Sequence, residues 1–325
     1  MMQEFSIIEM DRDNDKLADF LEFGISHYQN DPNFVPPLLL SQFSYFQDEH
    51  PFFEHGKIKL FLLYKENQIV GRVSASINES LDNTIGNIGF YECIDDDNAS
   101  KLLIEHAERW LKNHDCNKII APVQFSIFHS YRFMSKGFDL PRFFGEPYNK
   151  PYYHQQFTQA GYKEIHRWFS YDLNQNSLSQ SLLIAKEYKK KWKSSYYTIK
   201  TLAEMDFENG LLLLWKITLD SFRKNFGWFS VSWNEWKFVY GGMNRFIIPD
   251  FVLFAFDDNQ SPAGFVYALP NWASQIKKID GDIFRLDELS KEQISQMIYM
   301  AVGIASDHRH PKIVDQLWEL LLQKT

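Results

Sequence analysis

Residues 88–123 have the sequence IGFYECIDDDNASKLLIEHAERWLKNHDCNKIIAPV. The apolar residues in the middle of this segment recur on one face of a helix, with charged residues on the other face. They are Leu103, Ala107, Trp110 and Leu111. Residues 88–94 and 118–123 on either side are rich in Ile, Val and aromatic side chains, which favours strands. The segment therefore predicts a β-α-β unit with parallel strands and a right-handed crossover.

The rest of the first half predicts an antiparallel sheet with helices around it. Strands are predicted before the β-α-β unit at residues 5–10, 58–64 and 69–77. The last two strands are separated by a short turn, so they form a hairpin. The predicted helices are residues 16–28 and 152–160, and a closing strand follows the second helix at residues 162–173.

The second half of the chain repeats this plan. Its predicted elements are a strand at 196–202, helices at 206–224 and 233–240, strands at 251–256, 263–269 and 297–305, and a helix at 313–322. The same order in both halves indicates a tandem duplication. The polar sequence NQNSLSQS indicates a boundary, which predicts a first domain at 1–173, a linker at 174–195 and a second domain at 196–325. The fold class is α/β (α+β), with mixed sheets flanked by helices.

The composition disfavours several classes of function. A chain of 325 residues is long enough to form two domains. Its formal net charge of -8 does not favour a nucleic acid as partner. The one basic run, KEYKKKWK at 186–193, indicates a solvated helix face or a patch that touches phosphate or anionic lipid. Cys93 and Cys116 fit neither a disulfide framework nor a zinc site. No apolar run reaches the roughly 20 residues that span a bilayer, so we expect no transmembrane segment. We also expect a cytoplasmic protein without a metal site.

Several long motifs resemble those of one family, in the same order. They are HPFFEHGKIKLFLLYKENQIVGRVSA at 50–75, GFYECIDD at 89–96, APVQFS at 121–126, GFD at 137–139, PYNKPYYHQQFTQAGY at 147–162 and NFGWF at 225–229. Through these motifs the chain resembles a bacterial family of tandem GNAT-like proteins within the GNAT acyltransferase superfamily. The resemblance implies that an acyl group moves from a co-substrate, acyl-CoA or acetyl-CoA, to a primary amine.

The superfamily holds the pyrophosphate of coenzyme A at a strand-to-helix turn with backbone N–H groups. In the first half this turn is IDDDNA at 94–99, and its three carboxylates would repel a pyrophosphate. We interpret it as a helix cap formed by Asp97 or Asn98; the alternative is a metal-assisted phosphate site.

The turn in the second half, at 303–314, is more cationic and resembles the superfamily's phosphate loop. Two residues, Lys312 and Val314, stand where the pattern has glycines. The resemblance implies three cofactor-binding residues: Ile304, Arg309 and Lys312. The alternative is a solvated loop.

Transfer of an acyl group to an amine needs a base and a donor for the leaving thiolate. Glu92 stands where superfamily members often place the base; its alternative is a sheet residue paired with Arg72 or Lys59. Three more candidates lie at the start of the helix that normally carries a tyrosine acid: Asn149, Tyr152 and Tyr153. The usual tyrosine position is Phe157 here, so one of these two tyrosines would have to supply the proton.

Two functions remain open from the sequence. The first is an N-acyltransferase, and the aromatic stretch at 125–144 motivates a long acyl chain or a lipidic amine, although the stretch also fits a core. The second is a degenerate GNAT-like binding or scaffold protein without catalysis, motivated by the missing glycines and Phe157. The family has further elements after the last helix, so we expect an incomplete second repeat whose open sheet edge favours self-association. A tRNA-dependent transferase is disfavoured by the acidic charge.

Overall fold

The computed structural model describes residues 5–82, 84–191 and 197–324, which form two compact units. The first unit comprises the chain up to Ile165 and the segment Ala273–Leu289. The second comprises His166–Trp272 and the chain from Ser290 onward. Residues 192–196, which belong to the predicted basic run, linker and strand, lie outside the described residues.

The first unit is built on a five-stranded sheet. Up to residue 165 its elements are β1 (Phe5–Met10), α1 (Leu17–Ser26), α2 (Leu39–Ser44), β2 (Gly56–Lys65), β3 (Gln68–Asn78), β4 (Ile85–Cys93), α3 (Asp97–Lys112), β5 (Lys118–Ile120), β6 (Val123–Gln124), β7 (Ser130–Tyr131) and α4 (Tyr153–Gln159). The strand order is β1-β2-β3-β4-β5, antiparallel except for the parallel pair β4 and β5. The predicted β-α-β unit and the predicted hairpin are therefore confirmed.

The sheet is covered on both faces because side chains alternate along each strand. On β2, Leu63 belongs to the cluster that contains Leu103 of α3, whereas Leu62 belongs to the cluster that contains Phe20 of α1. All four side chains are fully buried. Burying one such side chain stabilises the fold by about 1.5–3 kcal/mol, so these two layers hold α1 and α3 firmly on the sheet.

A bulge interrupts β4 beyond the point at which its pairing with β5 ends. The ladder pairs Ser74 with Gly89 and Arg72 with Glu92, so β4 contains one residue more than β3 between these pairs. Phe90 within the bulge has a φ of 47°, in the left-handed region. A bulge of this kind redirects the residues that follow it, and the residue that follows here is the predicted base.

Two local predictions in this part of the chain are wrong. The strand predicted at 118–123 ends at Ile120. Residues 162–173 form no strand at all, although they are rich in strand-forming residues. A strand needs a neighbouring strand with which to form a ladder, and local composition does not reveal whether a sheet edge is available.

After one additional helix, the second unit repeats the order strand, helix, helix, three strands and helix with which the first unit begins. The remaining elements of the chain are α5 (Gln175–Lys191), β8 (Thr198–Thr201), α6 (Phe207–Ser221), α7 (Trp233–Tyr240), β9 (Val252–Phe256), β10 (Pro262–Pro270), α8 (Ala273–Lys278), β11 (Met297–Ile304) and α9 (Pro311–Leu322). Of these, α8 belongs to the first unit. The described strands of the second sheet run antiparallel in the order β11-β10-β9-β8. Phe254 packs in a cluster with Ile217 of α6, and Leu253 packs with Leu317 of α9, so helices again cover both faces.

The predicted linker at 174–195 is helical over most of its length. Asn174 begins the helix, because its Oδ1 accepts the N–H of Ser177 at 3.0 Å. Helix α5 packs against α9, and Ala185 is buried. Polar residues that indicate a linker serve equally well as helix caps, so composition alone did not distinguish the two. Neither α5 nor any other described helix has the length and the apolar sequence needed to cross a membrane.

Candidate active site

Glu92, at the end of β4, is the acidic member of a buried ion pair. Its Oε1 lies 3.6 Å from Nη2 of Arg72, the residue opposite it on β3. The side chains of Arg72 and Glu92 are 5% and 13% exposed. Removing two charges from water is costly, so such a pair persists only where further hydrogen bonds satisfy both groups.

Two tyrosines from distant parts of the chain supply those hydrogen bonds to Glu92. Tyr28, which follows α1, and Tyr153, the first residue of α4, each donate an O–H to Oε2 at 2.6 Å. The hydroxyl oxygen of Tyr153 in turn accepts the N–H of Cys93 at 3.1 Å. Short O–H···O bonds of this length are typical of a charge-assisted acceptor. We call Tyr28, Arg72, Glu92 and Tyr153 the Glu92 cluster.

Burial is the main cause of the pKa shifts within the Glu92 cluster. It raises the pKa of Glu92, while Arg72 and the two tyrosine hydrogen bonds act in the opposite direction. Burial and the neighbouring Glu92 raise the pKa of Tyr28 and of Tyr153, so both keep their protons at neutral pH. Burial lowers the pKa of Arg72, and Glu92 opposes that shift. A carboxylate with a raised pKa is better matched to accepting a proton near neutral pH than an exposed one.

Helix α1 holds Arg72 in position. The Nη1 of Arg72 donates to the carbonyl oxygen of Phe20 at 2.8 Å, and the guanidinium carbon lies 5.1 Å from the centre of the Phe20 ring. A Cβ on Gly24 would lie 1.9 Å from Nη2, so the helix makes room for the guanidinium through this glycine. The same helix leads into Tyr28, so one element orients two members of the cluster.

A cleft of about 710 Å³ lies at the end of α1. It is lined by Ser26, His27, Gln29, Asn30, Asp31, Pro32, Asn33, Phe138, Tyr148, Lys150 and Pro151. Asp31 accepts the O–H of Tyr148 at 2.9 Å on one oxygen, and its other oxygen lies 3.7 Å from Nζ of Lys150. The volume falls in the range of small-molecule sites, and both signs of charge are present for a polar ligand.

Two lining residues connect this cleft to the Glu92 cluster and its surroundings. The Nζ of Lys150 lies 4.5 Å from the centre of the Tyr28 ring. The Nε2 of His27 lies 3.4 Å from the hydroxyl oxygen of Tyr152. Burial, with Lys150 and Arg72 as further causes, lowers the pKa of His27 to about 4, so this imidazole is neutral at pH 7. A polar ligand in the cleft would therefore lie near the buried carboxylate.

The structure brings Glu92 and Tyr153 into direct contact, and it places the other two predicted residues differently. Tyr152 donates its O–H to the carbonyl oxygen of Cys93 at 2.9 Å, next to Glu92. Asn149 is buried and makes two hydrogen bonds with the backbone of Met134, so its amide holds a loop. Lys59, the alternative partner of Glu92, instead pairs with Glu9 and Asp11.

Sequence reasoning missed Tyr28, His27 and Asp31. Tyr28 is 64 residues from Glu92 in sequence, and no local pattern links the two. The Pro-rich sequence that follows Tyr28 was a usable signal, because loops that a rigid helix positions often carry binding residues.

Phe157, at the usual position of the tyrosine acid, is buried against the Tyr91 ring, with the ring centres 4.8 Å apart.

The predicted cofactor-binding residues all lie in the second unit, at the turn between β11 and α9. Ile304 ends β11 and pairs with Gly264 of β10. Arg309 donates from Nη2 to the carbonyl oxygen of Ser221 at 2.8 Å. Lys312 is 6% exposed. The role of these three residues in holding a phosphate stays a prediction.

In the first unit, the helix cap at the corresponding turn is Asp96, not Asp97 or Asn98. Its Oδ1 accepts the N–H of Asn98 at 2.9 Å and the N–H of Ala99 at 3.0 Å. Asp96 has extended backbone dihedrals, as a capping residue requires, whereas Asp97 is already the first helical residue. The sequence DDDN did not show which of its residues caps the helix, and the prediction was wrong by one residue.

Each unit has a sheet covered by helices on both faces. The first sheet is antiparallel except for the pair β4 and β5 and has a bulged fourth strand, and the second is antiparallel over its described strands. This arrangement defines a tandem GNAT-like fold. Solved structures confirm this prediction. A tandem GNAT protein from the clavulanic acid biosynthesis pathway, solved without AcCoA, superposes with a TM-score of 0.52 over 99% of this chain and 85% of its own, at 11% identity. A probable N-acyltransferase from Enterococcus faecalis V583 superposes with a TM-score of 0.51 over 97% of this chain and 62% of its own, at 9% identity.

Two curated proteins are similar in sequence. Protein YghO of Escherichia coli K12 is 27% identical over 276 residues, which cover 82% of this chain and 69% of that protein. The bacterial ceramide synthase of Caulobacter vibrioides is 24% identical over 259 residues, which cover 78% of this chain and 67% of that protein. No protein-family model matches the chain.

Proposed function

We propose that this protein is an N-acyltransferase that moves an acyl group from an acyl thioester, such as acyl-CoA, to a primary amine. The observation that carries the proposal is the Glu92 cluster, a buried carboxylate held by two tyrosine hydroxyls and an arginine at the bulged end of β4. Perturbed titratable groups of this kind collect at functional sites. The tandem GNAT-like fold and the similarity to a ceramide synthase support the same reaction class.

In the proposed reaction Glu92 is the general base. The amine nitrogen attacks the thioester carbonyl, a C–N bond forms, and the C–S bond breaks to release a thiolate that takes up a proton. Glu92 accepts the proton that the amine loses, and its raised pKa brings it closer to the pH at which it works. Tyr28 and Tyr153 keep the carboxylate oriented through their 2.6 Å hydrogen bonds.

The bulge on β4 suits the second requirement of the reaction, a donor for the developing oxyanion. A bulge leaves its extra residue without a partner in the ladder, and Phe90 and Tyr91 lie between the paired residues Gly89 and Glu92. A backbone N–H in this position would stabilise the negative charge at the carbonyl oxygen. We assign the leaving-group proton to Tyr152, which would have to break the hydrogen bond from its O–H to the carbonyl oxygen of Cys93 in order to donate it.

We further propose that the amine is lipidic and the acyl chain long. The support is the relative whose name is bacterial ceramide synthase, since a ceramide is the N-acyl amide of a long-chain amino alcohol. The cleft beside Tyr28 would take the polar end of such an amine, because Asp31 and Lys150 offer both signs of charge there.

The test is amide formation from palmitoyl-CoA and a panel of amines that includes sphinganine, followed by mass spectrometry. We expect an amide product with the wild-type protein, a rate that rises with pH as Glu92 loses its proton, and at least about a tenfold loss of kcat in Glu92→Gln. The matched control is Glu79→Gln, which breaks only an exposed ion pair with Lys57. Unchanged turnover in Glu92→Gln, with an unchanged unfolding temperature, would exclude Glu92 as the base.

A second candidate, a binding protein without catalysis, is favoured by one observation. The carboxylate of Asp96 already accepts two N–H groups at the first turn of α3, where the superfamily binds the pyrophosphate of its co-substrate. If no amide forms with any acceptor while acyl thioesters still raise the unfolding temperature, this second function is the correct one.

A further inference from the structure

We infer that this protein recognises its acyl donor by the acyl chain and the pantetheine arm, without anchoring the diphosphate of coenzyme A. Thioesters of pantetheine, of coenzyme A and of a phosphopantetheinyl carrier protein would then serve equally as donors. The inference rests on the proposed function, because it names the donor class of the same reaction. It is carried by the two turns at which this fold would bind a diphosphate.

In the first unit the carboxylate of Asp96 already occupies the turn before α3. The N–H groups of Asn98 and Ala99 donate to Asp96, so two of the donors at this helix start are taken. Asp95 and Asp97 flank the cap and add negative charge on both sides. A diphosphate would have to displace one carboxylate and approach two others, and each contact between like charges opposes binding.

In the second unit the turn before α9 carries an anion in the same way. The N–H of Ser306 donates to the carboxylate of Asp220, and this hydrogen bond lowers the pKa of Asp220, which is therefore ionised. The N–H of Lys312, at the start of α9, donates to Nδ1 of His310 at 3.2 Å. Pro311, the first residue of α9, has no N–H to offer.

The cations of the second turn do not compensate for these occupied donors. Lys312 is only 6% exposed, so it is not a solvated cation on the surface of the turn. Arg309 is exposed, and its guanidinium donates to a backbone carbonyl. Arg309 and Arg223 both act on the carboxylate of Asp220, and Arg223 Nη1 lies 3.9 Å from its Oδ1. Exposed ion pairs of this kind contribute little, so these arginines are weak anchors for a ligand with several negative charges.

All pantetheine thioesters share the acyl chain, the thioester and the pantetheine arm. The acyl carbonyl and the sulfur must reach the Glu92 cluster whichever carrier holds the arm, so the chemistry of the transfer is the same for each donor. The structure therefore assigns donor selection to the thioester end of the molecule.

The experiment measures binding and transfer with the wild-type protein and three dodecanoyl donors below their micelle concentrations: dodecanoyl-pantetheine, dodecanoyl-CoA and a dodecanoyl carrier protein. Sphinganine is the amine. We expect dissociation constants and kcat/KM values for the first two donors that agree within about fivefold. A diphosphate anchor with charge-assisted hydrogen bonds would instead favour dodecanoyl-CoA by at least about tenfold, and that result would overturn the inference while leaving the proposed function intact. If none of the three binds, the proposed function fails, and the inference fails with it.

A variant tests the blocking role of the carboxylate directly. Asp96→Gly removes one charge and leaves the N–H groups of Asn98 and Ala99 without their acceptor, and glycine is tolerated as a helix cap. We expect the affinity for dodecanoyl-CoA to rise at least about threefold, with no change for dodecanoyl-pantetheine. The matched control is Asp206→Gly, which removes the corresponding cap of α6 and should change neither affinity. An unchanged affinity of Asp96→Gly for dodecanoyl-CoA would contradict the inference.

Discussion

Two contacting histidines, the buried His50 and the partly buried His129, make the stability of the first unit sensitive to acid. His50 Nε2 lies 3.0 Å from His129 Nε2, and His129 Nδ1 lies 2.9 Å from the hydroxyl of Ser126. The Nδ1 of His50 accepts the N–H of Phe52 at 3.0 Å, so the neutral ring carries its proton on Nε2. Burial lowers the pKa of His50 to about 4, with His55 as a minor cause, and lowers that of His129 well below its usual value.

Acidification from pH 7 to pH 5 is the perturbation. The pKa of His50 is about 4 in the folded state and 6.5 in the unfolded chain, so the unfolded state binds protons first and is stabilised as the pH falls. This stabilisation of the unfolded state is about 1.4 kcal/mol per pH unit over about 1.5 units, which gives a loss of folding stability of about 2 kcal/mol at pH 5 from His50 alone. This contribution is complete above the unfolded pKa and is lost between pH 6.5 and pH 4.

The assay is urea unfolding at pH 7 and at pH 5, followed by tryptophan fluorescence, for the wild type and for His50→Asn. Asparagine can still accept the N–H of Phe52 but cannot be protonated, so the pH-dependent loss should be smaller by about 2 kcal/mol in this variant. His154→Gln, which replaces an exposed histidine, is the control and should behave as the wild type. An equal loss of stability in the wild type and in His50→Asn would refute this reasoning.

Three further substitutions test the geometry of the first unit by urea unfolding. Gly89→Ala places a Cβ 2.4 Å from the carbonyl oxygen of Val123, a backbone atom that cannot move aside, so we expect a loss of about 1–3 kcal/mol; a neutral result would show that β4 and β6 lie farther apart. Asp96→Ala removes the α3 cap and should cost about 1 kcal/mol, whereas a cost near zero would place the cap elsewhere. Gly24→Ala would displace the Arg72 guanidinium and should lower both stability and acyl transfer; wild-type behaviour would mean that Arg72 lies farther from α1.

Much of the architecture was predictable from the sequence because it depends on local patterns. The apolar period between Ser100 and Asn113 predicts the face of α3 that is buried, and Leu103, Ala107 and Leu111 are indeed fully buried. The repeated order of elements predicts the tandem organisation. The wrong predictions occur where one sequence pattern is compatible with two different structures. Polar residues before α5 are compatible with a linker or with a helix cap, and the strand-forming residues at 162–173 form no strand in the structure.

The sequence by itself determined the β-α-β unit, the duplicated plan and Glu92 as a candidate base, because periodicity and motifs are properties of neighbouring residues. Only the tertiary structure decided what surrounds Glu92. Tyr28 and Tyr153 lie 64 and 61 residues from it in opposite directions along the chain, and they meet it because α1 and α4 both approach the bulged end of β4. The burial that raises the pKa of Glu92 and lowers that of His50 has the same origin, since desolvation is a property of the packed fold and of no single segment.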